Sequence, residues 1–165
     1  MQLLIVRHAI AFQRDAKRWP DDAERPLTAE GVRRARRAAA GLKRIVKPPD
    51  LVLTSPLARA RDTAAIFTQA ARWPKAVQCD ALAPGKSPEA VLESLRRQGA
   101  KVDSIAVVGH QPGLGRLLAL CLHGVRSEAF EIKKSAIACL SFQGPPRGGQ
   151  AVLTALLPPR LLRKL

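Results

Sequence analysis

Three short apolar runs constrain what this chain can fold into more than any other feature. Leu3-Leu4-Ile5-Val6 leads into Arg7-His8, Leu51-Val52-Leu53-Thr54 into Ser55-Pro56, and Ile105-Ala106-Val107-Val108 into Gly109-His110-Gln111-Pro112-Gly113. None of them alternates apolar with polar residues. A strand with one wet face alternates, whereas a strand apolar on both sides is buried on both. That is the habit of parallel sheets covered by helices.

Helical patterns fill the gaps. Thr28 is a suitable N-cap for a helix reaching about Val46. Its Val32, Ala35, Ala38, Ala39, Leu42, Ile45 and Val46 fall on one half of the wheel. Arg33, Arg34, Arg36, Arg37, Lys43, Arg44 and Lys47 fall on the other, and Pro48-Pro49 stops it. Further helices are expected over residues 57–71, from Ser87-Pro88 to about Arg97, and from Pro112 to about Leu122. Two last strands, 136–142 and 151–156, flank the turn-rich segment Gly144-Pro145-Pro146-Arg147-Gly148-Gly149 and read as a hairpin. The fold class is therefore α/β, layered, with helices on both sides of a mostly parallel sheet. With no repeat and no internal boundary, residues 1–165 are expected to form one domain.

Composition narrows the function classes. The 28 Lys and Arg against 13 Asp and Glu leave a net charge of +15. Such an excess raises nucleic acid, an anionic membrane or an acidic partner. Four Phe, two Trp and no Tyr offer few rings for stacking bases, which speaks against a single-strand binder. No run approaches the roughly 20 apolar residues of a membrane helix. The apolar start is too short for a secretory signal, so a cytoplasmic location is expected. Cys79, Cys121 and Cys139 are widely spaced and unpaired in pattern, as small, partly buried residues rather than a disulfide or zinc framework.

In layered α/β folds, sites form beyond the carboxyl ends of the strands. There the first run delivers Arg7 and His8, the second Ser55-Pro56 and Arg59, and the third Gly109-His110. Only three histidines occur in the chain, and two of them stand at strand ends. A lone histidine is usually a structural residue; two beside two arginines are a different matter. Arginine forks match the oxygens of a phosphoryl dianion and stay charged at cellular pH. A neutral imidazole can attack phosphorus and hold it covalently. Helix N-termini after Pro56 and Pro112 are expected to add backbone N–H donors. Metal binding is the competing use of paired histidines, but no local carboxylate or cysteine joins them and the arginines would repel a cation. His123, before Gly124, reads as a helix end. The basic half of the first helix reads as a solvated face, while Arg14, Lys17, Arg18 and Arg25 belong near the pocket mouth.

These residues carry a family resemblance. Leu4-Ile5-Val6-Arg7-His8-Ala9 resembles the RHG signature of the histidine phosphatase superfamily, whose fold is phosphoglycerate mutase-like. Arg25-Pro26-Leu27-Thr28-Ala29-Glu30-Gly31 is similar to its PLTxxG segment, residues 55–63 to SPxxRAxxT, and Val108-Gly109-His110-Gln111-Pro112 to GHxP. The ordered set spans residues 3–115. The small size, Ala9, Arg25 before Pro-Leu-Thr, and Ser135-Ala136-Ile137-Ala138 resemble the SixA branch, phosphohistidine phosphatases acting on histidine phosphotransfer domains.

The resemblance implies a three-layer α/β/α fold with a mixed, mostly parallel sheet. It implies His8 as the nucleophile, Arg7 and Arg59 as the phosphate clamp, His110 as the second pocket histidine, and Arg25 and Ser135 among the substrate-binding residues, with no metal or cofactor. Where many relatives carry a glutamic acid as general acid, this chain has Pro84, and Asp80 is the nearest carboxylate. An alkoxide leaving group needs that proton, worth roughly 10²–10⁴ in rate, whereas imidazole leaves readily. The missing acid therefore fits a P–N substrate.

The expected partner is a phosphorylated protein or a small anionic phosphate. Nucleic acid and membrane are not expected, and the chain should be a monomer or weak dimer. The competing readings are a phosphatase of a nucleotide, sugar phosphate or polyphosphate, and a basic binding protein on an inactive fold.

Overall fold

The computed structural model describes residues 1–165, the surroundings of Gly99 apart. Strand β1 (Gln2–Arg7) leads through a long loop to helix α1 (Ala29–Leu42), then β2 (Leu51–Thr54), α2 (Ala58–Ala71), β3 (Val77–Gln78) and α3 (Pro88–Gly99). β4 (Ser104–Gly109), α4 (Gly113–His123), β5 (Ile137–Ser141), β6 (Val152–Leu157) and the short α5 (Pro159–Leu162) complete the chain. The six strands form one sheet in the order β3-β2-β4-β1-β5-β6. The first four are mutually parallel neighbours, β5 runs antiparallel to β1, and β6 antiparallel to β5.

The unalternating runs are explained by cover on both sides. Leu3 and Ile5 of β1, with Leu53, Ile105 and Val107, pack against Leu92 and Leu95 of α3 and Leu114, Leu117 and Leu118 of α4. Leu4 and Val6, with Val52, Ala106 and Val108, face Ala38, Ala39 and Leu42 of α1, Ala60, Ala64 and Phe67 of α2, and Leu162 of α5. This is the expected three-layer arrangement.

The four main helices fall close to their sequence signals. Thr28 caps α1 through Oγ1, accepting from Gly31 N at 2.9 Å, and Ser87 caps α3 by accepting from Ala90 N. Arg72 ends α2 in the left-handed conformation, at φ 59. The expected extension of α1 to Val46 fails: the helix ends at Leu42, and Ile45 is 49% exposed. Past Leu42 the helix tightens into turns, Arg44 N donating to Gly41 O and Ile45 N to Leu42 O, before Pro48-Pro49. The hairpin forms as expected, shifted by about a residue at each end, with an irregularity between Cys139 and Leu140. β3 is two exposed residues long, too short to leave a periodic signal. The tail packs rather than drifts: Leu162 is fully buried, and its carbonyl lies so close to Gly41 that a Cβ there would sit 1.9 Å away.

The loop after β1 is seated on α1. Ile10 O accepts from Thr28 N at 3.0 Å and from Thr28 Oγ1 at 3.3 Å, and Ala11 bridges Leu27. This close approach needs glycine at 31, because a Cβ would lie 2.0 Å from Ile10 O. Gly31→Ala is expected to cost at least about 2 kcal/mol, as overpacking against backbone does, and to lower activity by moving the loop that follows His8. An unchanged urea midpoint and unchanged turnover would show that the loop does not depend on this contact.

Candidate active site

The carboxyl ends of β1, β2 and β4 bring the expected residues together. His8 N donates to Gly109 O at 3.0 Å, tying the end of β1 to the end of β4. Ala9 N donates to Thr63 Oγ1 at 2.9 Å, and that hydroxyl donates to Arg59 O at 2.7 Å. The loop carrying His8 is thus pinned to the helix carrying Arg59. The His8 and His110 rings lie 5.0 Å apart, centroid to centroid, and His8, Arg59 and His110 are all buried.

Hydrogen bonds set the tautomers. His8 Nδ1 lies 2.7 Å from Ala9 O. A carbonyl only accepts, so Nδ1 holds the ring proton and Nε2 keeps its lone pair. His110 Nε2 lies 2.8 Å from Ser55 Oγ, which also accepts from Leu57 N at 3.4 Å. The Ser55 hydroxyl has no other acceptor among the described residues, so its proton goes to Nε2, and Nδ1 of His110 is the protonated nitrogen.

Electrostatics keep both rings neutral. Burial lowers the pKa of His8 to about 4; the hydrogen bond to the Ala9 carbonyl is the next largest influence and opposes it, and the positive charges of Arg59, Arg7 and Lys134 each lower it further. His110 is lowered to about 3, chiefly by burial and then by His8 and Arg59. An imidazole among cations, neutral at pH 7 and with Nε2 unprotonated, is equipped as a nucleophile.

The arginines are held but not used up. Arg7 Nη1 donates to Ile132 O at 2.8 Å, with Glu131 Oε1 at 3.7 Å. Arg59 Nη1 donates to Asp22 O at 2.8 Å and Nη2 to Asp22 Oδ2 at 3.1 Å. Arg7 Nε, Arg59 Nε and His110 Nδ1 are buried without a protein partner among the described residues. Unpaired buried donors are costly; those in the group round His8 fit an anion with several oxygens.

The remaining candidates divide. Arg25 joins the cluster through Asp22, to which its Nε donates at 2.7 Å. Ser135 is buried beside Arg7 in the left-handed conformation, φ 62, and its N–H is spent on Arg7 O at 3.0 Å. The N-terminus of α4 is less open than expected, since Leu114 N donates to His110 O and Gly115 N to Gln111 Oε1. Asp80 accepts from Gln78 Nε2 and lines a separate hollow with Ser94 and Arg97. The small cavity beside His110, about 50 Å³, is bordered by residues 81–86 including Pro84, and no carboxylate lines it. Arg14, Lys17 and Arg18 are exposed, the Arg18 guanidinium lying 4.6 Å from the Phe12 ring centroid and 4.5 Å from that of Trp19. His123 ends α4, exposed and stacked on Phe130.

Sequence reasoning missed Asp22, the Ser55 bond to His110, and Lys134, whose charge reaches His8. Each acts across the fold rather than along the chain. No group of three or more His, Cys, Asp or Glu among the described residues could hold a metal ion, and no helix is long and apolar enough to cross a membrane.

Known proteins resemble this chain in sequence and fold. The family model of the histidine phosphatase superfamily (branch 1) matches residues 3–83. An uncharacterised protein of Picosynechococcus is 36% identical over 138 residues, covering 83% of this chain and 82% of its own. The solved structure of the protein histidine phosphatase SixA complexed with tungstate is 28% identical with a TM-score of 0.83, over 98% of this chain and 99% of that one. A phosphohistidine phosphatase SixA assigned in Agrobacterium tumefaciens shares the fold, at 24% identity and a TM-score of 0.76, over 94% and 96% of the two chains. This chain belongs to the histidine phosphatase superfamily and is of the SixA type. It is a phosphatase with the phosphoglycerate mutase-like fold.

The depressed histidine pKa values have a definite sign. In the folded protein the ring signals of His8 and His110 should stay constant from about pH 8 to about pH 5 by NMR, the rings remaining neutral throughout. The unfolded chain takes up these protons near the ordinary 6.5, and the folded chain only at about 4 and about 3. Stability contributed by the neutral rings is therefore complete above pH 6.5 and falls as the pH drops from there. A midpoint near 6.5 for either ring would contradict the site's electrostatics.

Proposed function

We propose that this phosphatase removes phosphoryl groups from phosphohistidine on a protein of the histidine phosphotransfer type, without a metal. The observation that carries the reading is the group of buried unpaired donors, Arg7 Nε, Arg59 Nε and His110 Nδ1, around a histidine whose Nε2 is unprotonated. His8 Nε2 attacks phosphorus. The P–N bond of the substrate breaks, and its electron pair returns to the leaving imidazole. The arginine donors and His110 Nδ1–H meet the phosphoryl oxygens as charge shifts onto them. Water then attacks the phosphorus on His8 and loses a proton to solvent, the P–Nε2 bond breaks with its electron pair returning to Nε2, and inorganic phosphate leaves.

The choice of a P–N substrate rests on the cavity beside His110. Pro84 borders it and no carboxylate does, so no carboxylic acid stands there to protonate an alkoxide. A similar SixA structure is complexed with tungstate, a phosphate-shaped oxyanion, which supports oxyanion binding in this pocket.

His8→Ala should abolish both turnover and phosphoenzyme formation. Acid-labile phosphate still trapped on that variant would overturn the role of His8, and unchanged biological activity would favour a binding protein. EDTA should leave the rate unchanged; a strict metal requirement would sink the mechanism. The substrate class is decided by kcat/KM on a phosphohistidine protein or phosphoramidate against para-nitrophenyl phosphate and polyphosphate. Preference for the phosphomonoester or polyphosphate would replace the P–N reading with that of a small or polymeric phosphate. Added salt should lower kcat/KM more steeply for an acidic protein substrate than for phosphoramidate.

A further inference from the structure

A carboxylate stands against the buried arginines, outside the small cavity beside His110, and the proposed chemistry does not use it. Asp22 opens a 3-10 turn, Asp22–Glu24, which is itself capped by Asp21 accepting from Ala23 N. It has three acceptor atoms in reach of two arginines. Oδ1 takes Arg25 Nε at 2.7 Å, Oδ2 takes Arg59 Nη2 at 3.1 Å, and the backbone oxygen takes Arg59 Nη1 at 2.8 Å. The side chains of Arg25 and Arg59 are only 14% and 5% exposed.

What these bonds leave over is informative. Both terminal nitrogens of Arg59 go to Asp22, so the nitrogen left unpaired is the buried Nε. Arg25 gives Nε to Asp22 and Nη1 to Phe12 O at 2.5 Å, leaving Nη2 without a partner among the described residues. The two guanidiniums are close enough for the charge of Arg25 to act on Arg59, and Asp22 acts on it with the opposite sign. Without the carboxylate the pair would repel, and long side chains would lose the single orientation in which one nitrogen of each is left without a partner.

We propose that Asp22 is a positioning residue that joins Arg25 and Arg59 into one rigid clamp for the phosphoryl group. It does not touch phosphorus; it acts through the two arginines. The proposal rests on the phosphatase reading above, and extends the clamp to Arg25.

The test uses Asp22→Asn, which keeps shape and loses charge, with Asp22→Ser as a second variant should the first fold poorly. Folding is checked by circular dichroism and thermal melting. The expected result is a fall in kcat/KM for phosphoramidate of about tenfold or more, as for a lost hydrogen bond to a charged group, with tungstate inhibiting correspondingly more weakly. In an Arg25→Ala background the same Asp22 substitution should cost much less than in the wild type, because part of its action is through Arg25. A purely structural role would instead add its full effect in either background. Unchanged kcat/KM and tungstate affinity in the folded variants, or tighter tungstate binding, would overturn the proposal; the latter would make Asp22 a competitor for the anion site. Phosphoenzyme on His8 in those variants keeps the outcome separate from the phosphatase reading, which fails if His8→Ala still turns over.

Discussion

A strand buried on both faces has no place along its length for a charged side chain. β1, β2 and β4 are such strands: Leu3, Leu4, Ile5 and Val6 are almost wholly buried, and so are Ile105 to Val108. Polar chemistry is therefore driven to the points where the strands end. Because the three strands are parallel neighbours in the sheet, those points lie side by side. Arg7-His8, Ser55 with Arg59, and Gly109-His110 meet there for the same reason that the core is dry. The tie from His8 N to Gly109 O closes the arrangement across two strand ends.

The same burial sets the reactivity. Removing His8 and His110 from water penalises their charged forms, and the arginines around them add to it. Burial among cations thus keeps both histidines unprotonated. The backbone does the finer work. One carbonyl, that of Ala9, decides which nitrogen of His8 holds the proton, and one hydroxyl, that of Ser55, does so for His110.

The net charge of +15 takes second place in this picture. Some of it forms local pairs on the surface, such as Arg34 with Glu30 and Arg126 with Glu89. Such exposed pairs contribute little to stability. The part that surrounds His8 and His110 is small and buried or half-buried: Arg7, Arg25 and Arg59, with Lys134 near enough to act on His8. The basic face of α1 lies outward and away from its packed side, Ala35, Ala38, Ala39 and Leu42.

The layered α/β class, the helix starts at Thr28 and Ser87, and the gathering of Arg7, His8, Arg59 and His110 at the strand ends were legible in the sequence. Those signals are local: runs of β-branched residues, capping side chains, and the residues just past each run. The early end of α1, the two-residue β3 and the docking of the tail through Leu162 were not, since each depends on what packs alongside. The site divides in the same way. The residue types at the strand ends follow from the sequence, because the strand itself dictates where polar residues begin. Which nitrogen is protonated, which donors are left unpaired, and that Asp22 reaches Arg59 37 residues later belong to the tertiary structure alone. Such contacts are made by folding distant segments to within about 3 Å, and no local pattern encodes that distance.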